Sequence, residues 1–336
     1  MKVCLYFENY ENVKQSGVGK ARQHQVKALE SLGIDYTFNP NDDYDILHIN
    51  TIFFKSISTI KKARKKGAKV ISHAHSTPED TRNSFIGSNI VTPLLKKYLV
   101  HIYNLADVVI TPTEYSKSLL IKHGITKPIF PLSNGVNLNR FKNSQEKAEI
   151  FRNYFNLSKD DKVVVSAGLW IKRKGIFDFV ELAKKEPDIK FIWFGRTNPY
   201  IIPPKIRRLV FKNHPKNCIF PGYMSGDVFE GSFTGADLFF FPSLEETEGI
   251  VILEALASRV PILIRDIPVY SGWMKNGYNC YIGKDVNDFS LLLNKILNSD
   301  NSEIIENGYK TVTERSITDI GVKLGEIYKF AIELDK

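Results

Sequence analysis

Short apolar runs rich in β-branched residues alternate with amphipathic stretches along the first half of the chain. Residues 2–7 (KVCLYF) predict a strand, and residues 16–33 (SGVGKARQHQVKALESLG) predict a glycine-containing loop and a helix with a partly apolar face. Further strands are predicted at residues 45–50, 68–75, 106–113 and 127–136. This alternation indicates parallel β/α units, whose ligands bind beyond the carboxyl ends of the strands.

A polar and charged stretch at residues 139–162 interrupts the alternation, which then restarts. Strands are predicted in the second half at residues 162–170, 189–195, 217–223, 236–243 and 260–266. The pattern therefore predicts an α/β protein of two doubly wound halves with a seam near residue 145. We expect one domain at residues 1–145, a second at 146–316, and a C-terminal helix in 317–336 that packs across the two domains or caps either one.

The composition is typical of a soluble globular protein, because 43% of the 336 residues are hydrophobic and 25% are charged. No window approaches the ~18 apolar residues that a membrane-spanning helix needs. The first residues do not resemble a secretory signal, so we expect a cytoplasmic protein. The three cysteines (Cys4, Cys218 and Cys280) are widely spaced, which favours reduced thiols over a disulfide or a metal site.

The net charge of +9 is unevenly distributed. Residues 46–78 and residues 189–226 contain no aspartate or glutamate, although both spans are rich in lysine and arginine. Such basic clusters suit an anionic membrane surface, nucleic acid or a phosphorylated substrate. A solvated basic helix face explains them equally well.

Residues 245–264 (EETEGIVILEALASRVPILI) carry four glutamates in an otherwise apolar segment. Thr247 is expected to cap a helix that begins near Glu248 or Gly249, directly after the strand at 236–243. The free N–H groups and the positive dipole end of such a helix form an anion site suited to a diphosphate.

Two of these glutamates are candidate ligand-binding residues. Glu254, inside the helix, is placed to accept hydrogen bonds from a ribose diol, and Glu246, in the preceding loop, is placed to meet hydroxyl groups at the far end of the same ligand. Acids at a helix start are also favoured by the helix dipole, at ~0.3–1 kcal/mol each. That alternative accounts for Glu246 and its neighbours in the loop, but not for Glu254 among aliphatic residues.

Residues 242–263 (PSLEETEGIVILEALASRVPIL) resemble the signature of the retaining glycosyltransferases of family 4, whose two glutamates are separated by seven residues. The matching pair is Glu246 and Glu254. Other family-like segments follow in the right order over nearly the whole chain: 16–36, 106–117, 133–141, 166–183 and 220–224. The resemblance implies the GT-B fold, in which two Rossmann-like domains face a central cleft, the N-terminal one on the acceptor side and the C-terminal one binding the nucleotide sugar.

Within this family, residues 73–85 (HAHSTPEDTRNSF) and 168–175 (GLWIKRKG) are most similar to diacylglycerol glycosyltransferases of Gram-positive bacteria and mollicutes. This similarity implies transfer of a hexose, with retention, from UDP-glucose or UDP-galactose to a lipid acceptor such as diacylglycerol or glucosyl-diacylglycerol. It implies peripheral association with an anionic membrane surface, at the inner face of the cell membrane. The UDP-sugar is then a co-substrate, and neither a metal nor another cofactor is expected.

The resemblance also implies roles for individual residues. His75, Glu246 and Lys174 are the catalytic candidates, with His75 at the end of a strand that faces the transferred sugar. His73, on the same face of that strand, is the competing choice. The expected donor-binding residues are Gly17, Gly19, Lys172, Arg173, Lys174, Tyr223, Met224, Glu246, Gly249, Ile250, Val251 and Glu254.

The sequence departs from the family pattern at two places. Leu169 stands where the family usually has an arginine, so Lys172 or Arg173 is expected to supply the second positive charge beside Lys174. Residues 247–249 (TEG) replace a common Gly-Phe-Gly. Glycines 17 and 19 allow a close backbone approach to phosphate or sugar, although a tight turn explains them equally well.

Three other functions compete with glycolipid synthesis. A relative in the same family would glycosylate a polyprenyl-linked or soluble glycan. A basic nucleic-acid-binding protein is disfavoured because no recognised binding module is present, so no nucleic acid partner is expected. A dinucleotide dehydrogenase would need a third glycine after residues 17–19.

Asp43 and Asp45 are similar to a metal-binding acid pair but precede a strand. We therefore interpret them as part of a loop and expect no metal there.

Overall fold

A computed structural model describes residues 1–14 and 16–334. The chain divides into two compact units. The first unit contains Met1–Asp80, Ile90–Val136 and the C-terminal segment from Arg315, and the second contains Thr81–Asn89 and Asn137–Glu314. Each unit is built on one six-stranded sheet in which every pairing is parallel, so the predicted α/β class with two doubly wound halves is confirmed.

The sheet of the first unit has the strand order β2-β1-β3-β4-β5-β6. Its strands are β1 Lys2–Tyr6, β2 Asp35–Thr37, β3 Ile46–Ile49, β4 Lys69–His73, β5 Val108–Thr111 and β6 Ile129–Pro131. The central strands are fully buried, as expected of β-branched runs covered by helices on both faces.

The sheet of the second unit has the strand order β12-β11-β10-β7-β8-β9. Its strands are β7 Val163–Ala167, β8 Lys190–Phe194, β9 Cys218–Gly222, β10 Leu238–Phe241, β11 Ile262–Arg265 and β12 Tyr281–Gly283. Its core is rich in aromatic side chains, and Phe179 packs edge-on against Trp193 at a centroid distance of 5.0 Å.

Helices connect the strands of both sheets. They are α1 Tyr10–Val13, α2 Gly17–Ser31, α3 Phe54–Lys65, α4 Pro78–Thr81, α5 Ser88–Asn104, α6 Glu114–His123, α7 Gln145–Tyr154, α8 Ile176–Lys185, α9 Pro204–Phe211, α10 Asp227–Gly235, α11 Ile250–Ala257, α12 Val286–Leu297, α13 Ser302–Thr313 and α14 Ile317–Glu333. Two 3-10 turns lie at Lys172–Lys174 and Pro268–Tyr270. Within the described part of the chain, no helix has the length and apolar character needed to cross a bilayer.

Every strand predicted from the sequence is present, and two others were missed. Strands β2 and β12 are three residues long and lie at sheet edges, so they lack the apolar run that marks a buried strand. The predicted strands at 68–75 and 162–170 end earlier, at His73 and Ala167. The residues after these two ends include the candidate site residues His75 and Lys172–Lys174.

Helices α7 and α10 of the second unit approach so closely that a glycine is required between them. A Cβ atom on Gly231 would lie 1.9 Å from the backbone oxygen of Lys147. By contrast, a Cβ atom on Gly325 in α14 would meet only the flexible end of Leu32, at 3.1 Å.

We expect Gly231→Ala to lower the free energy of unfolding by about 1–3 kcal/mol, because the added methyl group forces the helix backbones apart. Gly325→Ala is the matched control, because its added methyl group displaces only the end of the Leu32 side chain. The better helix propensity of alanine, about 1 kcal/mol, offsets the cost of that displacement. Urea unfolding monitored by circular dichroism measures both. Equal stability of the Gly231 variant and the wild type would contradict this account of the helix contact.

Candidate active site

Two loops of the second unit meet at the carboxyl ends of neighbouring strands. One follows β7 and ends at Gly175, and the other follows β10 and begins at Pro242. Gly175 has a φ of +78°, and a Cβ atom there would lie 2.2 Å from the backbone oxygen of Pro242. The N–H of Leu244 donates to the carbonyl of Arg173 at 2.7 Å. Glycine is therefore needed at position 175 for the loop after β7 to contact the loop after β10.

Lys174 and Glu246 form a buried ion pair across these loops. Lys174 Nζ lies 2.5 Å from Glu246 Oε1 and 5.3 Å from the ring centre of Phe241. Glu246 is 5% exposed. Burial by itself would raise the pKa of Glu246, but the charges of Lys174 and Arg173 hold that pKa below its usual value. Glu246 therefore stays ionised and keeps Lys174 in place.

Arg173 supplies a second positive charge at the same place. Its Nη1 donates to the carbonyl oxygen of Glu245 at 2.8 Å and lies 3.9 Å from Glu246 Oε2, and its Nε donates to Ser84 Oγ at 3.3 Å. Lys172 is exposed to solvent. Of the two candidates for the missing arginine, Arg173 is the one that lies beside the Lys174–Glu246 pair.

Helix α11 begins at Ile250, with Gly249 as its N-cap at a φ of +88°. The predicted N-cap at Thr247 is therefore wrong, because Gly249 occupies that position. The left-handed conformation of Gly249 turns the chain into the helix. Thr247 lies two residues before this N-cap position. The first N–H groups of α11 have no partner within the helix, and Ile250 and Val251 are only partly buried.

Three carboxyl groups around the start of α11 are buried rather than solvated. Glu246 is 5% exposed, Glu248 is 2% exposed and Glu254, inside the helix, is 1% exposed. The burial of Glu254 was expected from its apolar neighbours. The burial of Glu248 was not expected, because the sequence indicated only a charged residue that is favoured by the dipole at a helix start.

Tyr223 and Met224 follow β9, which is an edge strand. Strand β8 lies between β9 and β7, so these residues are two strands away from the loop that carries Lys174. Tyr223 is 44% exposed. The expected role of Tyr223 and Met224 at the nucleotide base stays a prediction.

Tyr270 is a neighbour of Glu246 that sequence reasoning missed. It is 2% exposed, and its hydroxyl has no hydrogen-bond partner among the described residues. Burial and the negative charge of Glu246 raise the pKa of Tyr270 well above its ordinary value. Its proximity follows from the pairing of β10 with β11, which the local sequence does not reveal.

In the first unit, the two glycines of the predicted loop have different surroundings. Gly17 is the first residue of α2. A Cβ atom on Gly19 would lie 2.2 Å from the backbone oxygen of Lys14, so the close approach here is between parts of the same unit. This contact supports the tight-turn interpretation for Gly19, while its expected contact with the donor stays a prediction.

His75 lies just beyond the carboxyl end of β4, stacked on His73 at a centroid distance of 4.0 Å. His75 is partly exposed, whereas His73 is 4% exposed and His48, on β3, is fully buried. Burial lowers the pKa of His48 and of His75 to about 3, and that of His73 well below its ordinary value. All three are neutral at physiological pH, and only His75 combines that state with access to solvent.

The acidic stretch at 42–45 lies in a loop before β3, in which Asp42 accepts hydrogen bonds from Thr37 Oγ1 at 2.6 Å and from Asn39 Nδ2 at 2.7 Å. In the chain as described, no group of three or more His, Cys, Asp or Glu side chains is arranged to hold a metal ion.

We expect the free energy of unfolding to fall as the pH drops below about 6.5. His24, His48, His73 and His75 have lowered pKa values, His24 at about 4, so the unfolded chain binds more protons than the folded chain in this range. Each histidine then costs up to about 1.4 kcal/mol per pH unit. Urea titrations at pH 7.5, 6.5 and 5.5 measure the effect, and constant stability between 7.5 and 5.5 would contradict it.

Two family models match the chain over most of its length. The model described as "Glycosyltransferase Family 4" matches residues 27–140, and the one described as "Glycosyl transferases group 1" matches residues 147–311. A processive diacylglycerol alpha-glucosyltransferase of Acholeplasma laidlawii is 45% identical over 100% of both chains. An alpha-galactosylglucosyldiacylglycerol synthase of Streptococcus pneumoniae is 30% identical, over 82% of this chain and 75% of the relative.

The fold is also similar to that of a solved protein. Anabaena HepE, solved in complex with UDP-glucose, superposes with a TM-score of 0.78 at 16% identity, over 98% of this chain and 99% of the other. At this identity the likeness concerns the fold alone.

Proposed function

Because this chain belongs to glycosyltransferase family 4, we propose that it transfers glucose or galactose from a UDP-sugar to a membrane glycolipid acceptor, such as diacylglycerol or glucosyl-diacylglycerol. The GT-B fold expected from the sequence is confirmed. The observation that carries the choice of acceptor is the 45% identity along the full length of a diacylglycerol glucosyltransferase.

We assign the UDP moiety to the loops of the second unit. Lys174 and Arg173 supply positive charge, and the N-terminus of α11 supplies N–H groups for the diphosphate. Glu254 is assigned to the ribose diol and Glu246 to hydroxyl groups of the hexose. The fold neighbour solved with UDP-glucose supports a UDP-sugar as the donor.

In this mechanism the protein stabilises the leaving group by electrostatics. The acceptor oxygen forms a bond to the anomeric carbon, the bond from that carbon to the phosphate oxygen breaks, and the hydroxyl proton passes to the departing phosphate. Attack on the face from which UDP leaves gives retention. Charge developing on the diphosphate is met by Lys174, Arg173 and the helix dipole, which are in place before reaction. These groups provide the charge that a metal ion would otherwise supply.

We assign membrane contact to a surface of the first unit, here called the α3–α5 patch. Its apolar members are Phe54 (86% exposed), Ile90 (85%) and Leu94 (71%), and its exposed basic members are Lys55, Lys61, Lys62, Lys96 and Lys97. The rings of Phe54 and Tyr98 are 5.9 Å apart, which joins the start of α3 to α5. Leu94 lies one helical turn before Tyr98, on the same side of α5.

Apolar side chains surrounded by lysines suit the interface of an anionic bilayer, where acyl chains take up the former and headgroups the latter. We therefore propose that the protein works peripherally at the inner face of the cell membrane, where the lipid acceptor is located.

We expect radiolabelled hexose from UDP-glucose or UDP-galactose to appear in a glycolipid when the purified protein is mixed with vesicles containing diacylglycerol or glucosyl-diacylglycerol. The activity should survive EDTA, since protein charges stabilise the diphosphate. Glu254→Gln is the inactive control, which is expected to fold and to lose most of the hexose transfer activity. Transfer to a polyprenyl-linked or soluble glycan, with none to lipid, would contradict the proposal.

We expect Phe54→Ser combined with Leu94→Ser to weaken binding to anionic vesicles by at least tenfold, since two apolar anchors at ~1.5 kcal/mol or more each are lost. Leu291→Ser is the matched control, because Leu291 is a 73% exposed leucine in the second unit. Co-sedimentation at low and high salt measures binding. Unchanged binding of the double variant would overturn the assignment of the α3–α5 patch.

A further inference from the structure

A surface of the second unit combines exposed apolar side chains with positive charge. Its apolar members are Ile86 (61% exposed), Tyr200 (85%) and Ile201 (45%), and its basic members are the exposed residues Lys205, Arg207 and Arg208 of α9. We call this set the α9 patch. Its residues are separate from the donor-binding loops and from the α3–α5 patch.

The apolar members are brought together by a segment that the rest of the second unit holds. Residues Thr81–Asn89 belong to the second unit, although the residues directly before and after them belong to the first. The N–H of Ile86 donates to the carbonyl oxygen of Ile201 at 3.1 Å. Ile86 therefore lies beside Ile201 and its neighbour Tyr200, and the three exposed side chains form one apolar area.

Two further contacts anchor the segment that carries Ile86. Phe85 packs against the aromatic core of the second unit. Ser84 is 1% exposed, and its Oγ accepts a hydrogen bond from Arg173 Nε at 3.3 Å. The exposed Ile86 thus follows two anchored residues, so its backbone has little freedom left to lose when the side chain meets a partner.

Helix α9 presents charge to solvent because its apolar residues face the core. Ile206 and Val210, one helical turn apart, are buried, whereas Lys205, Arg207 and Arg208 are exposed. Among the described residues, none of these three basic side chains forms an ion pair with an acid. The acid-free span in the second half of the chain contains all of α9. The positive charge of this surface is therefore not neutralised by the protein.

Cations beside apolar side chains suit the interface of an anionic bilayer. Headgroup phosphates neutralise the guanidinium groups, tyrosine is favoured at the membrane–water interface, and isoleucine gains by leaving water for acyl chains. A nucleic acid would also attract the arginines, and its bases could stack on a tyrosine ring. It offers no apolar phase to Ile86 and Ile201, so the two isoleucines favour the bilayer.

The same chain segment continues into the α3–α5 patch. Ile90 and Leu94 of α5 follow Ile86 at intervals of four residues, and all three side chains are exposed. Asn89 is the last residue of this segment in the second unit, and Ile90 belongs to the first. Exposed apolar side chains therefore continue along the chain where it passes from one unit to the other.

We propose that the α9 patch is a second membrane contact, in which Ile86, Tyr200 and Ile201 enter the interface of an anionic bilayer and Arg207 and Arg208 bind its headgroups. The second unit then binds the membrane through its own residues. Membrane contact by the second unit goes beyond the proposed function, which uses the α3–α5 patch, and it does not depend on hexose transfer.

Insertion of the α9 patch is measured with a fluorescent label on the whole chain. Cys4, Cys218 and Cys280 are buried, and burial raises the pKa of each thiol to about 12. A maleimide dye near neutral pH therefore selects an introduced, exposed cysteine. Tyr200→Cys carries the dye in the patch, and Leu291→Cys, at an exposed position elsewhere in the second unit, is the matched control.

We expect vesicles of phosphatidylglycerol to shift the emission of an environment-sensitive dye at position 200 to the blue, because the dye leaves water. The dye at position 291 should change little. Vesicles of phosphatidylcholine should give a weaker response at position 200, since they carry no net negative charge. A response at position 200 no larger than that at position 291 would overturn the proposal.

The apolar part of the patch is tested by co-sedimentation with the same vesicles. We expect Tyr200→Ser combined with Ile201→Ser to weaken binding at least about fivefold, because two apolar side chains are lost from the interface. The matched control is Tyr278→Ser combined with Leu291→Ser, which removes another exposed tyrosine and another exposed aliphatic residue of the second unit. Equal binding by the Tyr200 and Ile201 variant and the wild type would contradict the proposal.

The charged part is tested with Arg207→Gln combined with Arg208→Gln. We expect binding to phosphatidylglycerol vesicles to weaken on the order of tenfold at low salt, and by less at high salt, where headgroup charge is screened. Lys159→Gln combined with Lys284→Gln removes the same charge from exposed positions outside the patch. An equal loss in this control would show an effect of net charge alone and would overturn the proposal.

An oligonucleotide separates the two kinds of anionic partner. If the Arg207 and Arg208 variant lost affinity for a DNA or RNA oligonucleotide but bound vesicles like the wild type, the patch would be a nucleic-acid surface and the proposal would be wrong.

Failure of the proposed function gives a different result. A protein that transfers no hexose, yet shows the blue shift at position 200, would refute the assigned activity and not the α9 patch. A protein that transfers hexose to lipid without that shift would refute the α9 patch alone.

Discussion

The candidate active site depends on the buried ion pair between Lys174 and Glu246. Two charges removed from water are stable only when they are close together and otherwise hydrogen-bonded, since each alone would carry a large desolvation penalty. This requirement holds the loops after β7 and β10 in contact, and Gly175 is the residue that permits the contact. Arg173 adds a second positive charge, so Glu246 has two cationic neighbours. In the proposed function these two cations bind the diphosphate.

The two units provide different chemistry. The second unit presents charge: Lys174, Arg173 and the N-terminus of α11 lie beside carboxylates at the carboxyl ends of its central strands. The first unit presents neutral hydrogen-bonding groups, because burial keeps the histidines beside β3 and β4 unprotonated. In the proposed function, the charged groups of the second unit stabilise the diphosphate.

The sequence was sufficient for the fold and for the positions of Glu246 and Glu254, which lie within one short segment. The strands were predicted because central parallel strands are continuous apolar runs, and the spacing of Glu246 and Glu254 is a property of one loop and one helix. Tyr270, Ser84 and the partners of His75 were missed, because each reaches its neighbour through strand pairing or through a distant part of the chain. The cap of α11 was wrongly placed for a local reason, the left-handed conformation of Gly249.

In the proposed function, Lys174 exchanges Glu246 for the diphosphate when the donor binds. Calorimetric titration of UDP into the wild type, Lys174→Ala and Glu246→Gln tests this exchange most directly. We expect Lys174→Ala to lose UDP affinity by at least tenfold, in the range of a charge-assisted hydrogen bond at about 1.5–3 kcal/mol. Glu246→Gln should bind UDP at least as tightly as the wild type, because its lysine has no competing carboxylate. Wild-type affinity in Lys174→Ala, or weaker binding in Glu246→Gln, would contradict the account.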